Sequence, residues 1–416
     1  YLLFLLKSFF QHSNWYRVMS TSAVASESRP GATVVVSLFA ASLGHFIVDF
    51  MLGIWPVYKT MFKMDLVTAG LIAAVCASFG EAMQMFFGPL SDMGQRKLLI
   101  ALGVALTMAA GLFAYVSDPL ILTVLLLSTY VGSAAFHPAG ASLAFSVSRR
   151  RRGLMMGIFA AGGAIGLASS QIVYAYLYRI LDGQTFVLAL PVLAIAGWIL
   201  YQRLPEETTI TRKRPSIRDI AGLMKVRELR LLYFALLANQ AFYWGLVFLL
   251  PDILLQRGYE TWVYSGGGHF VMVSGLALLT VPLGLLADRI GPRRVLLTAE
   301  LGALSSVFFI LLQPQLSVPV LLMALFLLGA CAGSCSPVGV VLGNQLYPGR
   351  PGSVTGFLMG FVWLVSEGLG QGLAGGMTAL FESGAAAKSM AILGVLMLFS
   401  FGLTLMVPNP VVQEES

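Results

Sequence analysis

The chain has 416 residues, of which 57% are hydrophobic and only 11% carry a formal charge, and its mean hydropathy is +0.83. Soluble globular domains carry about 25% charged residues, so this composition excludes a large water-soluble protein. The formal net charge of +7 would suit a nucleic-acid partner. The basic residues are concentrated in the loops on one side of the predicted membrane, so we expect no nucleic-acid ligand.

Twelve continuous apolar runs follow one another along the chain, each long enough to cross a bilayer as a helix of about 20 residues. The runs do not alternate with polar residues, which favours helices over the strands of a membrane barrel. The predicted fold class is therefore an all-α integral membrane protein. The predicted spans are 33–57, 66–90, 97–116, 119–147, 153–178, 184–203, 230–255, 262–287, 294–313, 317–346, 353–381 and 386–408.

Lysine and arginine are distributed unevenly between the two sides of the predicted membrane. The loops after the even-numbered spans hold 18 basic residues, including the run of four arginines at 149–152. The opposite loops hold only five, namely Lys59, Lys63, Arg179, Arg257 and Lys388. Because basic loops stay in the cytoplasm, we predict that both termini are cytoplasmic. The expected location is a bacterial inner (plasma) membrane.

The sequence of the first half recurs in the second half. Gly88 and Asp92, after the second span, match Gly284 and Asp288, after the eighth span, with the same offset of 196 residues. We therefore predict two six-helix halves related by duplication. The predicted parts are an N-terminal tail over 1–32, in which 1–18 is interpreted as upstream translated sequence, the two halves over 33–203 and 230–408, a cytoplasmic linker over 204–229 and a C-terminal tail over 409–416.

Several short motifs resemble those of known transporters. The G-x-L-[AS]-D element in both loops resembles the loop signature of the major facilitator superfamily, and the resemblance extends from residue 33 to 408. H-F-x-x-D at 45–49, F-H-P-x-G at 136–140 and R-G-x-x-x-G-x-x-x-x-G-G-x-x-G at 152–166 are similar to the fosmidomycin-resistance type of efflux proteins. The resemblance implies two pseudo-symmetric six-helix bundles, with spans 1, 4, 7 and 10 around a central cavity.

The two copies of the loop element are interpreted as a conformational latch. A carboxylate at a helix end, with arginine in the next turn, can hold a loop against a neighbouring helix in one of two conformations. The simpler alternative is that these residues only cap helix ends and set the topology. The predicted latch residues are Gly88, Asp92, Arg96, Gly284, Asp288, Arg289 and Arg293.

Ionisable side chains inside a membrane span are costly and therefore mark functional candidates. His45 and Asp49 are four residues apart and share one helix face, and the resemblance implies that Asp49 and His137 face the same cavity. We assign proton coupling to Asp49, His137, Glu81 and His45. The structural alternatives are an Asp49–His45 pair that fastens the first span, a core role for His137 and helix packing for Glu81.

Substrate binding is assigned to the seventh and eleventh spans. An amide pair beside two aromatic side chains suits an amphiphilic small molecule, although lipid-facing or core packing is the alternative. No lysine or arginine is predicted deep in a span, which favours a neutral or cationic substrate. The predicted binding residues are Asn239, Gln240, Tyr243, Trp244 and Glu367.

Two prolines and one further acid lie inside the predicted spans. Pro138 and Pro337 each remove a backbone hydrogen bond in the middle of a helix, so we predict that they bend spans 4 and 10. Glu300 is predicted to pair with Arg293 or Arg294, about two turns away at the cytoplasmic end of its span.

Taken as a whole, the sequence predicts a secondary active transporter that exports a small amphiphilic molecule in exchange for protons. Proton-coupled uptake of a metabolite and a non-transporting ligand sensor are the alternatives. The sequence has no nucleotide-binding loop and no hydrolase motif, so we expect neither an enzyme nor an ATP-driven pump. We expect a monomer in the lipid bilayer, with a small molecule and protons as its ligands and with no metal or cofactor.

Overall fold

The computed structural model describes residues 30–148, 151–204, 222–313 and 315–409. Within these ranges every regular element is a helix. The predicted N-terminal tail up to residue 29, the linker over 205–221 and the C-terminal tail from residue 410 lie outside the described residues, as do positions 149 and 150 of the arginine run.

Six helices form the N-terminal half. They are α1 (Pro30–Leu52, continued after a short break by Trp55–Met61), α2 (Leu66–Leu90), α3 (Arg96–Leu106, with a 3-10 extension over Thr107–Tyr115), α4 (Pro119–Ser146), α5 (Arg152–Ile180) and α6 (Ala189–Tyr201, preceded by a 3-10 turn over Thr185–Leu188).

Six further helices form the C-terminal half. They are α7 (Arg227–Gln256), α8 (Gly268–Ile290, preceded by a π-helical turn over Val263–Gly267), α9 (Pro292–Leu312), α10 (Val318–Leu346), α11 (Val362–Gly376, preceded by Pro351–Thr355 and Gly356–Phe361) and α12 (Ala385–Met406).

This order agrees with the twelve predicted spans. Ten helical stretches of the described chain are long and apolar enough to cross a bilayer. One of them, Leu66–Tyr115, contains two predicted spans because a π-helical turn over Ser91–Gln95 joins α2 to α3. The shorter apolar stretch Thr185–Tyr201 corresponds to the sixth span. The all-α fold class is therefore confirmed.

Large apolar side chains on the outer surface fit a lipid environment. On α2, Leu71, Val75 and Phe79 recur every four residues and are all exposed. Residues at this spacing share one helix face. A continuous apolar face of this kind would be unfavourable in water but is solvated by hydrocarbon chains, which explains why the sequence is so hydrophobic.

Two helix pairs form most of the contact between the two halves. α2 packs against α11 and α5 packs against α8, and the Trp55–Met61 segment of α1 adds a smaller contact with α7. In the predicted duplication α2 corresponds to α8 and α5 corresponds to α11. The two interfaces are therefore equivalents of each other, as expected for halves related by an approximate two-fold axis.

The interface is closed at one end of the molecule and open at the other. A Cβ added to Gly70 on α2 would lie 2.9 Å from the carbonyl oxygen of Gln371 on α11, so the two backbones touch there. At the opposite end, a Cβ added to Gly157 on α5 or to Gly284 on α8 would have no atom within 4 Å, and one on Gly88 would meet only Pro138, at 3.9 Å. We call these the closed end and the open end; the open end carries the α2–α3 and α8–α9 loops.

Candidate functional site

Three of the predicted proton-coupling residues form one cluster inside the N-terminal half. Asp49 Oδ2 lies 3.3 Å from His45 Nε2, and Asp49 Oδ1 lies 3.4 Å from His137 Nε2. The side chains are 20%, 11% and 23% exposed, respectively. One carboxylate from α1 therefore faces two imidazoles, one from its own helix and one from α4, and the cluster is partly accessible to solvent.

The backbone fixes both imidazole rings. His45 Nδ1 lies 2.8 Å from the carbonyl oxygen of Phe159, and His137 Nδ1 lies 2.9 Å from that of Ser133. A carbonyl oxygen only accepts, so each Nδ1 carries a hydrogen and each Nε2 is left to face Asp49. The His45 ring also stacks on the Phe159 ring, with 4.1 Å between the centroids. Both rings are thus held in position before any proton is exchanged.

A glycine of the third motif makes room for this cluster. A Cβ on Gly163 of α5 would lie 2.6 Å from Asp49 Oδ2 and would also collide with His45 Nε2. Any larger residue at this position would push the carboxylate and the imidazole out of place. The close approach of α5 to α1 therefore depends on the glycine spacing of the 152–166 motif.

The side chains of His45, Asp49 and His137 could also coordinate a divalent cation. Their ligand atoms all lie within 4.8 Å of one another, and imidazole and carboxylate groups bind zinc and related metals. The structure provides no test of metal binding, so the absence of a metal remains a prediction.

The fourth proton-coupling candidate, Glu81, lies on α2 near this cluster. Its Oε2 accepts a hydrogen bond of 2.8 Å from Gln84 Nε2, as their spacing along one helix face allows. Glu81 is close enough to His137 and Asp49 for electrostatic interaction. All four candidates are therefore in one region of the N-terminal half.

A second polar cluster links the two halves. Glu367 Oε1 on α11 accepts a hydrogen bond of 2.7 Å from the Tyr130 hydroxyl on α4. Gln371 Nε2 donates to the same hydroxyl oxygen at 3.2 Å. Our sequence reasoning missed Tyr130, because a tyrosine in an apolar run gives no signal that separates a functional role from ordinary packing.

The predicted binding residues on α7 differ in their surroundings. Asn239 is fully buried, donates to the Met397 sulfur of α12 at 3.5 Å and accepts from Gln240 Nε2 at 3.1 Å. Tyr243 is buried and Trp244 is partly exposed, and the hydroxyl and indole N–H of this pair have no hydrogen-bond partner within the described residues. Asn239 thus supports its neighbour from inside the helix bundle, whereas Trp244 is the most accessible of the four.

The two latch loops contain different turns. Gly94 (φ +89°) lies within the π-helical turn between α2 and α3, whereas Gly291 (φ +95°) separates the end of α8 from the start of α9. A positive φ favours glycine, and the glycine of the first copy comes one position earlier in the motif. The first copy therefore gives a nearly continuous helix and the second a true break.

Two latch arginines donate hydrogen bonds to helices of their own halves. Arg96 Nη2 donates to Ser142 Oγ of α4 at 3.1 Å, and Arg293 Nη2 donates to the Leu405 carbonyl oxygen of α12 at 2.7 Å. Asp288 and Arg289 are exposed and Asp92 is half-buried. The conformation described here is open at this end, so a latch role of these residues remains a proposal.

The closed end contains a polar link that the sequence analysis missed. Lys59, predicted to lie in an outer loop, is fully buried because α1 continues to Met61, and its ammonium group forms an ion pair with Asp252 on α7. The assignment of Lys59 to a loop is therefore wrong, and the residue lies in the last turn of the first span. The paired carboxylate compensates the charge, so the cation is not left unpaired.

Glu300 also differs from its prediction. Its Oε1 contacts Ser400 Oγ at 2.5 Å and Thr404 Oγ1 at 2.9 Å, both on α12, and it forms no ion pair with Arg293 or Arg294. The predicted pairing is wrong because the arginine side chain of Arg293 turns to the end of α12 instead.

The two predicted bends lie inside continuous helices. Pro138 falls within α4 and Pro337 within α10, and neither residue interrupts its helix. The carbonyl oxygen of Ser133, in the turn before Pro138, is the one that His137 Nδ1 contacts. Bending at these positions remains a prediction.

Comparison with known proteins agrees with this architecture. The sequence profile described as Major Facilitator Superfamily matches residues 34–277 and 267–416. The chain is 25% identical over 404 residues to the uncharacterised MFS-type transporter YfnC of Bacillus subtilis, covering 90% of this chain and 94% of the relative. It is 24% identical over 366 residues to the Fosmidomycin resistance protein of Escherichia coli, covering 85% of this chain and 89% of the relative.

Solved structures share the fold at low sequence identity. A bacterial homologue of the human lysosomal transporter Spinster, in an inward-facing and unoccupied conformation, superposes with a TM-score of 0.75 at 14% identity and covers 92% of this chain and 98% of its own. The nucleoside transporter NupG superposes with a TM-score of 0.73 at 14% identity and covers 90% of this chain and 98% of its own. The protein is therefore an integral membrane transporter rather than an enzyme, and it belongs to the Major Facilitator Superfamily.

Proposed function

We propose that the protein is a proton-coupled secondary transporter that exports a small amphiphilic molecule by alternating access. The observation that carries the proposal is the cluster in which Asp49 faces both His45 and His137. The names of two relatives, the Fosmidomycin resistance protein and the multidrug resistance protein MdtG of Citrobacter koseri, support export rather than uptake.

The geometry of the cluster favours proton binding. The Nδ1 hydrogen of each ring points to a backbone carbonyl, so a neutral ring presents the Nε2 lone pair to the carboxylate of Asp49. The lone pairs repel across the two N···O contacts of 3.3 and 3.4 Å, and a proton placed in one contact turns that repulsion into a hydrogen bond. The cluster therefore favours holding at least one proton, and a rearrangement of α1 against α4 would release it. Glu81 is the adjacent group that would pass a proton to or from His137.

The substrate region in this proposal lies between α7 and the cluster that α1 and α4 form around Asp49. Gln240, Tyr243 and Trp244 supply amide and aromatic groups, with Asn239 as support for Gln240. Glu367, which bonds to Tyr130 across the halves, would take a cationic or hydroxyl group of the substrate in place of that tyrosine. An anionic substrate would need an unpaired cation in the site. Within the described residues we find none in this region, so we favour a neutral or cationic molecule.

The orientation follows from the basic loops. If the loops rich in arginine are cytoplasmic, the open end faces the cytoplasm, the conformation is inward-open, and both termini are cytoplasmic in a bacterial inner membrane. The latch around Asp92 and Asp288 would then engage only when the cytoplasmic end closes. A monomer is sufficient for this cycle, because both halves belong to one chain.

The proposal is tested in everted membrane vesicles that carry the overproduced protein. A respiratory proton gradient is established, compounds are added one at a time, including fosmidomycin and lipophilic cations, and proton movement is followed with a pH-sensitive dye. Export predicts that a substrate dissipates the gradient and accumulates in the vesicles. Vesicles with the Asp49→Asn variant are the matched control. If no compound in a broad panel moves with protons, proton-coupled export is wrong.

Proton-coupled uptake of a metabolite is the alternative, and the same fold serves it. The solved relative NupG is named as a nucleoside transporter. In right-side-out vesicles, uptake predicts that nucleosides or other metabolites accumulate with an inward proton gradient and that an outward gradient does not drive them. A protein that binds ligand but moves none in either assay would instead be a sensor.

A further inference from the structure

Glu300 lies in a part of the molecule that the proposed mechanism does not use. It is fully buried on α9 in the C-terminal half, whereas the Asp49 cluster lies in the N-terminal half. Ser400 and Thr404 of α12 contact its Oε1, and its Oε2 has no partner within the described residues. A buried acid with so few contacts is costly unless it is neutral or carries a bound cation.

The hydrogen atoms around Ser400 indicate which of these applies. Ser400 Oγ lies 2.8 Å from the Ala235 carbonyl oxygen of α7 and 2.5 Å from Glu300 Oε1. The hydroxyl has one hydrogen, and a carbonyl oxygen only accepts. If Glu300 were ionised, both neighbours would be acceptors, and one of these two short contacts would bring lone pairs together. If Glu300 is protonated, it donates to Ser400, and Ser400 donates to Ala235.

The groups that face Glu300 supply no compensating charge. The thiol of Cys335 on α10 is close enough to interact electrostatically with it and carries no positive charge. The facing groups of α12 and α7 are two hydroxyls and a carbonyl oxygen. Arg293, on the same helix, donates to carbonyl oxygens at the end of α12, and Arg294 is exposed. Within the described residues, no cation is paired with this carboxyl group.

We propose that Glu300 is a second proton-binding site of the transporter and that it holds its proton in the conformation described here. The proton completes a chain from Thr404 through Glu300 and Ser400 to Ala235, which connects α9 and α12 to α7. Asn239 lies one helical turn beyond Ala235. Loss of the proton would break this chain beside the candidate substrate residues. The role in transport rests on the proposed function, but the bound proton does not.

Infrared spectroscopy of the purified full-length protein tests the proton directly. A protonated carboxyl group has a carbonyl stretching band that is well separated from carboxylate bands, and a maltoside detergent adds no ester carbonyl of its own. We expect the difference between wild type and Glu300→Gln at pH 7 to contain this acid band. The matched control is Glu382→Gln, which alters an exposed acid in a loop and should remove only carboxylate bands.

Two further measurements keep the proposal falsifiable if Glu300→Gln folds poorly. Ser400→Ala retains the acid but removes its acceptor, so the acid band should move to higher frequency without losing intensity. Replacing choline chloride by sodium chloride should leave the band unchanged. A Glu300→Gln difference that contains only carboxylate bands, or an acid band that sodium abolishes, overturns the proposal. Failure of proton-driven export would leave the band in place, so the two proposals fail separately.

Discussion

Lys59 of α1 and Asp252 of α7 form a buried ion pair that joins the two halves at the closed end. Thr60 Oγ1 donates to the other oxygen of Asp252 at 2.9 Å, and the ammonium group lies 4.3 Å from the centre of the Phe248 ring. Since the pair spans the interface, the closed end cannot open without separating it. Removing one partner from a buried pair typically costs about 3–5 kcal/mol, because it leaves the other charge uncompensated.

We therefore expect Lys59→Gln to shift the molecule towards states that are open at this end. Spin labels at Ser117 and Gln313, which are exposed in loops of opposite halves, report the separation. The distance distribution should gain a longer component in Lys59→Gln. Thr60→Val removes the hydrogen bonds of the Thr60 hydroxyl to Asp252, Pro56 and Lys59, each worth about 1 kcal/mol. It keeps the ion pair and should therefore have a smaller effect. Identical distributions in wild type and Lys59→Gln would exclude a gating role for the pair.

Asp49→Asn should separate substrate binding from proton coupling. The substitution keeps the shape of the side chain but cannot take up a proton, so gradient-driven transport should fall to background while exchange of substrate across the membrane persists. Vesicle transport with labelled substrate, driven either by a pH gradient or by unlabelled substrate, measures both. Glu382→Gln serves as an exposed-acid control.

Uphill transport by Asp49→Asn with an ordinary proton dependence would assign Asp49 a structural role. Of the three remaining candidates, Glu81 and His137 would then be the leading proton carriers. Glu81→Gln and His137→Gln in the same two assays distinguish between them, because only the variant of the carrier should lose driven transport and keep exchange.

Asp288→Asn tests the latch at the open end. Asp288 is exposed in the conformation described here, so the variant should unfold at nearly the wild-type temperature. Transport should fall, because the substitution would weaken the opposite conformation by about 1–3 kcal/mol, the usual range for coupling between states. We expect Asp92→Asn to be milder, since Met93 stands where the second copy has Arg289. Unchanged transport in Asp288→Asn would show that the loop only caps a helix end and sets the topology.

The orientation can be checked by chemical labelling of single cysteines. Cysteine at Ser117 or Gln313 should react with a membrane-impermeant maleimide added to intact cells, and cysteine at Ser148 should react only after the membrane is permeabilised. The three native cysteines, Cys76, Cys331 and Cys335, lie inside helices and are replaced for this experiment. The reverse labelling pattern would invert the assigned topology.

Asp65 gives a pH-dependent contribution to stability outside the membrane spans. It caps the start of α2, where the backbone N–H and then the hydroxyl of Thr68 donate to its carboxylate and hold the pKa of that carboxyl group below its usual value. A carboxyl group whose pKa is lower in the folded state than in the unfolded state stabilises the folded protein at pH values above the unfolded-state pKa. This stabilisation is lost as the pH falls through the folded-state pKa.

We expect Asp65→Ala to lower the unfolding free energy at pH 7 by about 0.5–1 kcal/mol, towards the lower part of the usual N-cap range because the site is mostly exposed. Near pH 3 the difference from wild type should be smaller. Asp65→Asn, which keeps an acceptor that does not titrate, should lose less stability and show a weaker pH dependence. Thermal unfolding in detergent at both pH values measures this, and an Asp65→Ala difference independent of pH would contradict it.

The sequence predicted the fold well because membrane helices are encoded locally. Each span can be recognised from its own apolar run, and the repeated loop element ordered the spans into two halves. The cluster around Asp49 was also predictable, since His45 shares its helix face and the family resemblance brings His137 to the same cavity. In both cases the prediction needs only a short segment of sequence or a known family motif.

Contacts between distant helices were not predictable in the same way. Lys59 was assigned to a loop because the first apolar run was taken to end at residue 57, whereas in the structure the helical segment Trp55–Met61 continues beyond it. Nothing in the sequence indicates that Asp252 lies opposite, 193 residues away. The ion pair predicted for Glu300 was wrong for the opposite reason. Two arginines close in sequence suggested a local pair, but the hydroxyl groups of α12 lie nearer.

The glycines at the two ends have different surroundings, so substitutions at the two ends should be detected by different assays. A methyl group at Gly70 disturbs the observed packing at once, whereas one at Gly284 has no atom beyond its own helix within 4 Å. If the open end closes during transport, the second methyl group becomes an obstacle only at that moment. Measurements of folding or expression would score such a variant as neutral, and only turnover would reveal the harm. The packing requirement at Gly284 would therefore act through the closed conformation of this end, whereas the requirement at Gly70 acts in the conformation described here.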